Sequence, residues 1–141
     1  SLQMPYLCLT KTRDYVRKNF IDESKTLIFG NTDELKNRWS IIFDDMCDTF
    51  GTIQAAAKKL VDAGSLGVIV VVTHGILSGP AIQRLNQTSE VVELICSDSL
   101  PQVKNKQLSN KISTFSIAPL LAEVIRRRLC KESVSEIFYH T

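Results

Sequence analysis

The sequence predicts an α/β fold: a mostly parallel sheet covered on both faces by helices. Two observations carry that expectation. Apolar runs recur along the chain, Gly67 to Thr73 the clearest, uninterrupted in the way of strands buried in a parallel sheet. Between them lie segments of helical period, such as Ile53, Ala56, Ala57, Leu60 and Val61 at i, i+3, i+4, i+7 and i+8. Their alternation marks βαβ units, whose ligands sit beyond the carboxyl ends of the strands.

Taken in order, Pro5 to Leu9 and Thr26 to Phe29 read as strands, separated by a polar stretch from Lys11 to Lys25 that has no clean helical period and reads as a mobile loop. Trp39 to Phe43 reads as a short buried strand and Thr52 to Ala63 as a helix stopped by Gly64. The strand Gly67 to Thr73 completes a βαβ unit. Ser78-Gly79-Pro80 opens a short helix through about Asn86, since proline is tolerated in a first turn, and Val91 to Cys96 forms the next strand. Lys111 to Phe115 is a further strand. After it Ser116 can cap a helix whose buried stripe is Ile117, Leu120, Leu121, Val124, Ile125 and Leu129, with Glu123, Arg126 and Arg127 on the wet face.

A chain of 141 residues fits one domain with a core that needs no disulfide or structural metal. The longest apolar run, Val68 to Val72, is too short to span a bilayer, so no membrane role is expected. The first residues lack the pattern of a secretory signal, which makes the cytoplasm the expected location. Cys8, Cys47, Cys96 and Cys130 are widely spaced and read as reduced thiols, and with only His74 and His140 beside them a zinc site is not expected. A net charge of +2 gives no argument for nucleic acid, although Lys11, Arg13, Arg17 and Lys18 form a local basic segment able to face an anion.

Candidate chemistry concentrates at one rim: Asp44-Asp45, then Thr73-His74-Gly75, then Ser97-Asp98-Ser99. The densest part is Trp39 to Thr52, where Asp44 and Asp45 precede Asp48, Thr49, Gly51 and Thr52 at the start of a helix. Unpaired N–H groups at a helix start attract phosphate, and flanking carboxylates take sugar hydroxyls or a divalent ion. The same residue types also cap helices, so the two readings stand side by side here. His74 reads as a loop histidine held by hydrogen bonds, Ser78 as a helix cap, and Arg126-Arg127-Arg128 as a solvated face. Cys47 takes no role, because neighbouring carboxylates oppose its thiolate.

Asp44-Asp-Met-Cys-Asp-Thr-Phe-Gly-Thr52, followed by Thr73-His-Gly-Ile-Leu-Ser-Gly-Pro-Ala81 and Arg84, closely resembles ribose-phosphate diphosphokinase, also called phosphoribosyl pyrophosphate synthetase. The likeness runs from about Tyr6 to the C-terminus, with Ile125-Arg-Arg127 and Glu132-Ser-Val-Ser135 near the end, and corresponds to the C-terminal half of a family member.

The resemblance implies a type I phosphoribosyltransferase-like domain over residues 1–141. It also implies transfer of the β,γ-diphosphate of ATP to the anomeric hydroxyl of ribose 5-phosphate, with Mg2+, giving phosphoribosyl pyrophosphate and AMP. Carried over by position, Asp44 and Asp45 would hold the ribose hydroxyls, and Asp48, Thr49, Gly51 and Thr52 would receive the 5-phosphate. Lys11 and Arg13 match a Lys-x-Arg pair of a flexible catalytic loop. Ser133 and Ser135 match a regulatory phosphate or ADP region at subunit contacts, within a family homo-oligomer, a hexamer. Because half of the family's length is absent, the chain is expected to bind ribose 5-phosphate weakly and not to turn over ATP alone. A phosphoribosyltransferase and a non-catalytic regulatory subunit are the alternatives. The Lys-x-Arg pair argues against the first, and the intact Asp48, Thr49, Gly51 and Thr52 against the second.

Overall fold

The computed structural model describes residues 5–11 and 26–138. A two-stranded antiparallel ribbon, β1 (Cys8–Lys11) with β2 (Thr26–Phe29), precedes a four-stranded parallel sheet in the order β3-β4-β5-β6. Its strands are β3 (Trp39–Cys47), β4 (Gly67–Gly75), β5 (Val91–Ser97) and β6 (Ile112–Phe115). The connections carry α1 (Gly51–Asp62), α2 (Ala81–Gln87) and α3 (Val103–Leu108), and α4 (Ala118–Leu129) follows β6.

The expected strands and helices are present, with shifted limits. The first strand begins later than Pro5, and Lys11 closes it; the rest of the expected loop lies outside the described residues. β3 runs on through Asp44 and Asp45 to Cys47, and β4 through His74 to Gly75, because parallel pairing continues from Asp44↔Val72 to Cys47↔Gly75. Polar residues can keep a strand's backbone pairing even where its apolar pattern ends. Pro80 is the N-cap of α2, one residue outside the first turn. The short polar α3 has no buried residue and no apolar stripe to announce it.

The core lies between one sheet face and its helices. Ile53, Ala56, Ala57 and Leu60 of α1 and Ala81 and Leu85 of α2 meet Ile42, Val68, Val70, Val72, Val91, Leu94 and Cys96. Among the described residues the other face is not covered as expected. Trp39 is 53% and Phe43 72% exposed, and Ile41, Val92 and Phe115 are exposed too. Strands that follow one another in chain order, joined by crossovers of one hand, gather their helices on a single side. Trp39 lies over Gly67, where an added Cβ would come within 2.5 Å of the indole.

The stripe of α4 is likewise a surface: no residue of this helix is buried, and Leu129 is 80% exposed. Amphipathic period fixes which residues share a face, and a partner element is needed to bury it. Arg127 reverses the expected wet face, since its side chain is only 16% exposed and holds Glu123 at 2.7 Å and Glu136 at 3.0 Å. All four cysteines are free thiols, Cys47 and Cys96 buried and Cys8 and Cys130 exposed. Among the described residues no helix is long and apolar enough to cross a membrane.

Candidate functional site

The carboxyl ends of β3 and β4 stand side by side, and each leads into a turn with a residue in the left-handed region. Phe50 has φ 65° and Leu77 φ 51°. Both side chains are buried in the core, Phe50 at 2% exposure, which is what holds bulky residues in a conformation they disfavour. The sequence gives no sign of either, because left-handed backbone is read from glycine and asparagine.

Asp44 and Asp45 occupy the exit of β3, where alternation of buried and exposed residues gives way to exposure. The Asp45 amide donates to Asp44 Oδ1 at 2.9 Å. Burial, with the adjoining Asp45 carboxylate adding to it, raises the Asp44 carboxyl above its ordinary value. Among the described residues no three His, Cys, Asp or Glu side chains gather into a metal cage. Two adjoining carboxylates of like charge are hard oxygen donors, and they fit an ion such as Mg2+ that takes one or two protein carboxylates and keeps water and substrate phosphate as its other ligands.

The turn after β3 ends at α1, which has no side-chain cap and no acidic residue in its first turn. Its first intrahelical bond runs from the Gln54 amide to the Phe50 carbonyl at 2.9 Å. The Asp48 carboxylate accepts a short hydrogen bond from the Ser78 hydroxyl. Thr49, Gly51 and Thr52 lie with it around the positive end of the helix. Arg84 of α2 donates from Nη1 to the Thr49 carbonyl at 2.9 Å. Cys47 is buried beneath, its thiol pushed up to about 12 by burial and by Asp44 and Asp48.

The neighbouring rim is a hydrogen-bonded cluster. His74 Nδ1 lies 2.8 Å from Ser99 Oγ, Ser97 Oγ donates to the Thr73 carbonyl at 2.5 Å, and the two serine oxygens are 2.8 Å apart. His74 is thus the bonded histidine expected, at a strand end. Asp98 accepts from Ser116 Oγ at 2.5 Å and from the Ile117 amide at 3.0 Å, and these bonds, Ser116's first, hold its carboxyl below the usual range. The N-cap of α4 is Ile117, without a side-chain cap bond, so Ser116, the expected cap, stands one residue too early and accepts from the Ala118 amide at 3.3 Å.

Of the other candidates, Lys11 ends β1 opposite Thr26, and Arg13 lies outside the described residues. Ser133 and Ser135 come together beyond α4, their hydroxyls 3.4 Å apart, and Arg127 Nη1 donates to the Ser133 carbonyl at 2.8 Å. Ser78, expected as a helix cap, and Arg84, quoted with the second motif, join this site through space, as does Phe50. Their signal was spatial, since Arg84 reaches Thr49 across 35 positions of sequence.

Comparison with known proteins agrees with this architecture. A crystal structure of phosphoribosylpyrophosphate synthetase from Mycobacterium smegmatis matches with a TM-score of 0.66 and 38% identity over 75% of this chain and 34% of that one. Ribose-phosphate pyrophosphokinase A of Dictyostelium discoideum is 38% identical over 125 residues, covering 89% of this chain. The chain spans 38% of that relative's length. The family model described as phosphoribosyl synthetase-associated domain matches residues 22–139. With four parallel strands, flanking helices and this match over most of its length, the chain belongs to the phosphoribosyl synthetase-associated domain family and has the phosphoribosyltransferase type of fold.

Proposed function

We propose that this chain is the sugar-phosphate-binding part of a ribose-phosphate diphosphokinase, and that the exit of β3 with the start of α1 takes ribose 5-phosphate. The carrying observation is that α1 opens, without a side-chain cap or an acid in its first turn, one short turn beyond the paired carboxylates at the end of β3. Backbone N–H groups and hydroxyls of the Asp48, Thr49, Gly51 and Thr52 turn then suit the 5-phosphate, and Asp44 and Asp45 accept from the ribose hydroxyls.

In the complete enzyme the anomeric oxygen would bond to the β-phosphorus of ATP as the bond from that phosphorus to AMP breaks. Asp44 and Asp45 orient the sugar so that its anomeric hydroxyl faces the nucleotide, which turns binding energy into alignment. Mg2+, carried by these carboxylates and the phosphates, would supply neutralisation of the transferring diphosphate. Lys11 and Arg13 would add cationic stabilisation of the same charge. Ser133 and Ser135 would contribute to a regulatory phosphate or ADP site in a homo-oligomer, and the enzyme would be cytoplasmic. Family membership and identity of 38% to two such enzymes support the assignment.

The test is calorimetric titration with ribose 5-phosphate, ribose and inorganic phosphate in magnesium buffer. The reading requires ribose 5-phosphate to bind more tightly than either fragment, and Asp44→Asn with Asp45→Asn to erase that preference. Equal binding of phosphate and ribose 5-phosphate by the wild type would remove the sugar from the site. ATP supplied to this chain alone should yield no AMP.

A further inference from the structure

Three successive carbonyls, from the last residue of β3 into the turn after it, are held by one neighbouring segment. The Leu77 amide donates to the Cys47 carbonyl at 3.0 Å, the Ser78 amide to the Asp48 carbonyl at 3.1 Å, and Arg84 Nη1 to the Thr49 carbonyl at 2.9 Å. A trans peptide is planar, so its N–H points opposite to its C=O. Fixing the Cys47 and Asp48 carbonyls toward the β4–α2 connection therefore turns the amides of Asp48 and Thr49 away from it. The Ser78 hydroxyl meanwhile engages the Asp48 carboxylate, the one acidic group of the turn itself.

An anion beside Asp48 would meet a like charge. Two features offset it: the carboxylate accepts from Ser78, and the Arg84 guanidinium brings a positive charge to the next residue's carbonyl. We propose that Ser78 and Arg84 are positioning residues that latch the phosphate turn, and that Asp48 serves the site through this latch. The inference rests on the ribose 5-phosphate reading and names what shapes that site. Arg84 is half-buried, and its planar fork can hold a carbonyl in a set direction while keeping its charge.

The test compares the wild type with Arg84→Gln, Arg84→Lys and Ser78→Ala. Two readouts are used: affinity for ribose 5-phosphate, and hydrogen exchange of the Leu77 and Ser78 amides in the ligand-free protein. The latch predicts about tenfold weaker binding for Arg84→Gln, the loss expected for one charge-assisted bond. Arg84→Lys, which keeps the charge, should recover part of it. Both Arg84→Gln and Ser78→Ala should exchange faster at Leu77 and Ser78 while the core amides of β4 and β5 stay protected, an outcome that general destabilisation does not give. Unchanged affinity in Arg84→Gln, or unchanged exchange in both variants, overturns the latch. If the wild type binds no ribose 5-phosphate, the functional reading fails, and the exchange data alone then decide whether the latch exists.

Discussion

The Leu77 amide donates to the Cys47 carbonyl at 3.0 Å, joining the turn that leaves β4 to the last residue of β3. On either side of this bond a bulky apolar residue, Phe50 or Leu77 itself, takes left-handed backbone and buries its side chain. The core thus sets the shape of the rim: packing energy on the helix side holds two strained turns against each other at the carboxyl ends of neighbouring strands.

Phe50 allows packing and strain to be separated. Phe50→Ala removes a side chain that is 2% exposed and should cost about 3–5 kcal/mol, measured by urea unfolding. Phe50→Gly removes the same ring but adopts positive φ at little cost, so it should be the more stable of the two by up to about 1 kcal/mol. A glycine variant less stable than the alanine variant would show that the positive φ carries no strain.

The strand-to-helix alternation was legible because strands and amphipathic helices leave periods in the sequence: the stripe Ile53, Ala56, Ala57, Leu60 behaves as read, and so does one face of β4, Val68, Val70 and Val72, while Ile69 and Val71 on its other face are only half-buried. The acidic turn was legible as a cluster of residue types. What one dimension hides is partnership. The partner of Asp48, Ser78, lies 30 positions away, Arg127 looks solvated until Glu123 and Glu136 enclose it, and the α4 stripe looks buried although nothing among the described residues buries it. The full reach of β3 was hidden for another reason, since backbone pairing carries a strand past the end of its apolar code.

The cysteines divide by burial. Cys8 and Cys130 should alkylate quickly near neutral pH, while Cys47 and Cys96 should react only on the timescale of unfolding, followed by mass spectrometry. The Cys47 thiol is raised from 9.0 to about 12, so the unfolded chain loses this proton first as pH rises. Its contribution to stability is therefore complete below pH 9 and falls away toward about 12, a slope that Cys47→Ala should lack.

Gly75 sits where β4 meets β5, and an added Cβ would lie 2.9 Å from Cys96 Sγ and 3.1 Å from Gln102 Nε2. Gln102 is buried and donates to the Gly75 carbonyl at 2.6 Å, so it has little room to retreat. Gly75→Ala should cost about 1–3 kcal/mol in chemical denaturation. Adding Cys96→Ala should return part of that loss, because the two positions share one space. Strict additivity of the two changes would show that the glycine is not required by this contact.

On α4, Arg126 and then Arg127 hold the Glu123 carboxyl down at about 2, from an ordinary 4.5. A depressed carboxylate stabilises the fold above its unfolded value and loses that contribution as pH falls through the folded one, here between 4.5 and about 2. Glu123→Gln should flatten the acid limb of the stability profile in that window. It should also loosen residues 133–138, which Arg127 ties down through the Ser133 carbonyl and Glu136, as seen by limited proteolysis. Equal acid sensitivity of wild type and variant would assign the limb to other groups.

The central claim is that the start of α1, with Asp44 and Asp45 before it, grips the phosphate and hydroxyls of ribose 5-phosphate. Amide chemical shifts recorded during titration with that sugar test it most directly. The account predicts saturable changes centred on residues 44–53, with ribose lacking its phosphate leaving the same amides in place. Saturable changes confined to other parts of the rim, or none while the spectrum of the folded chain stays intact, would contradict it.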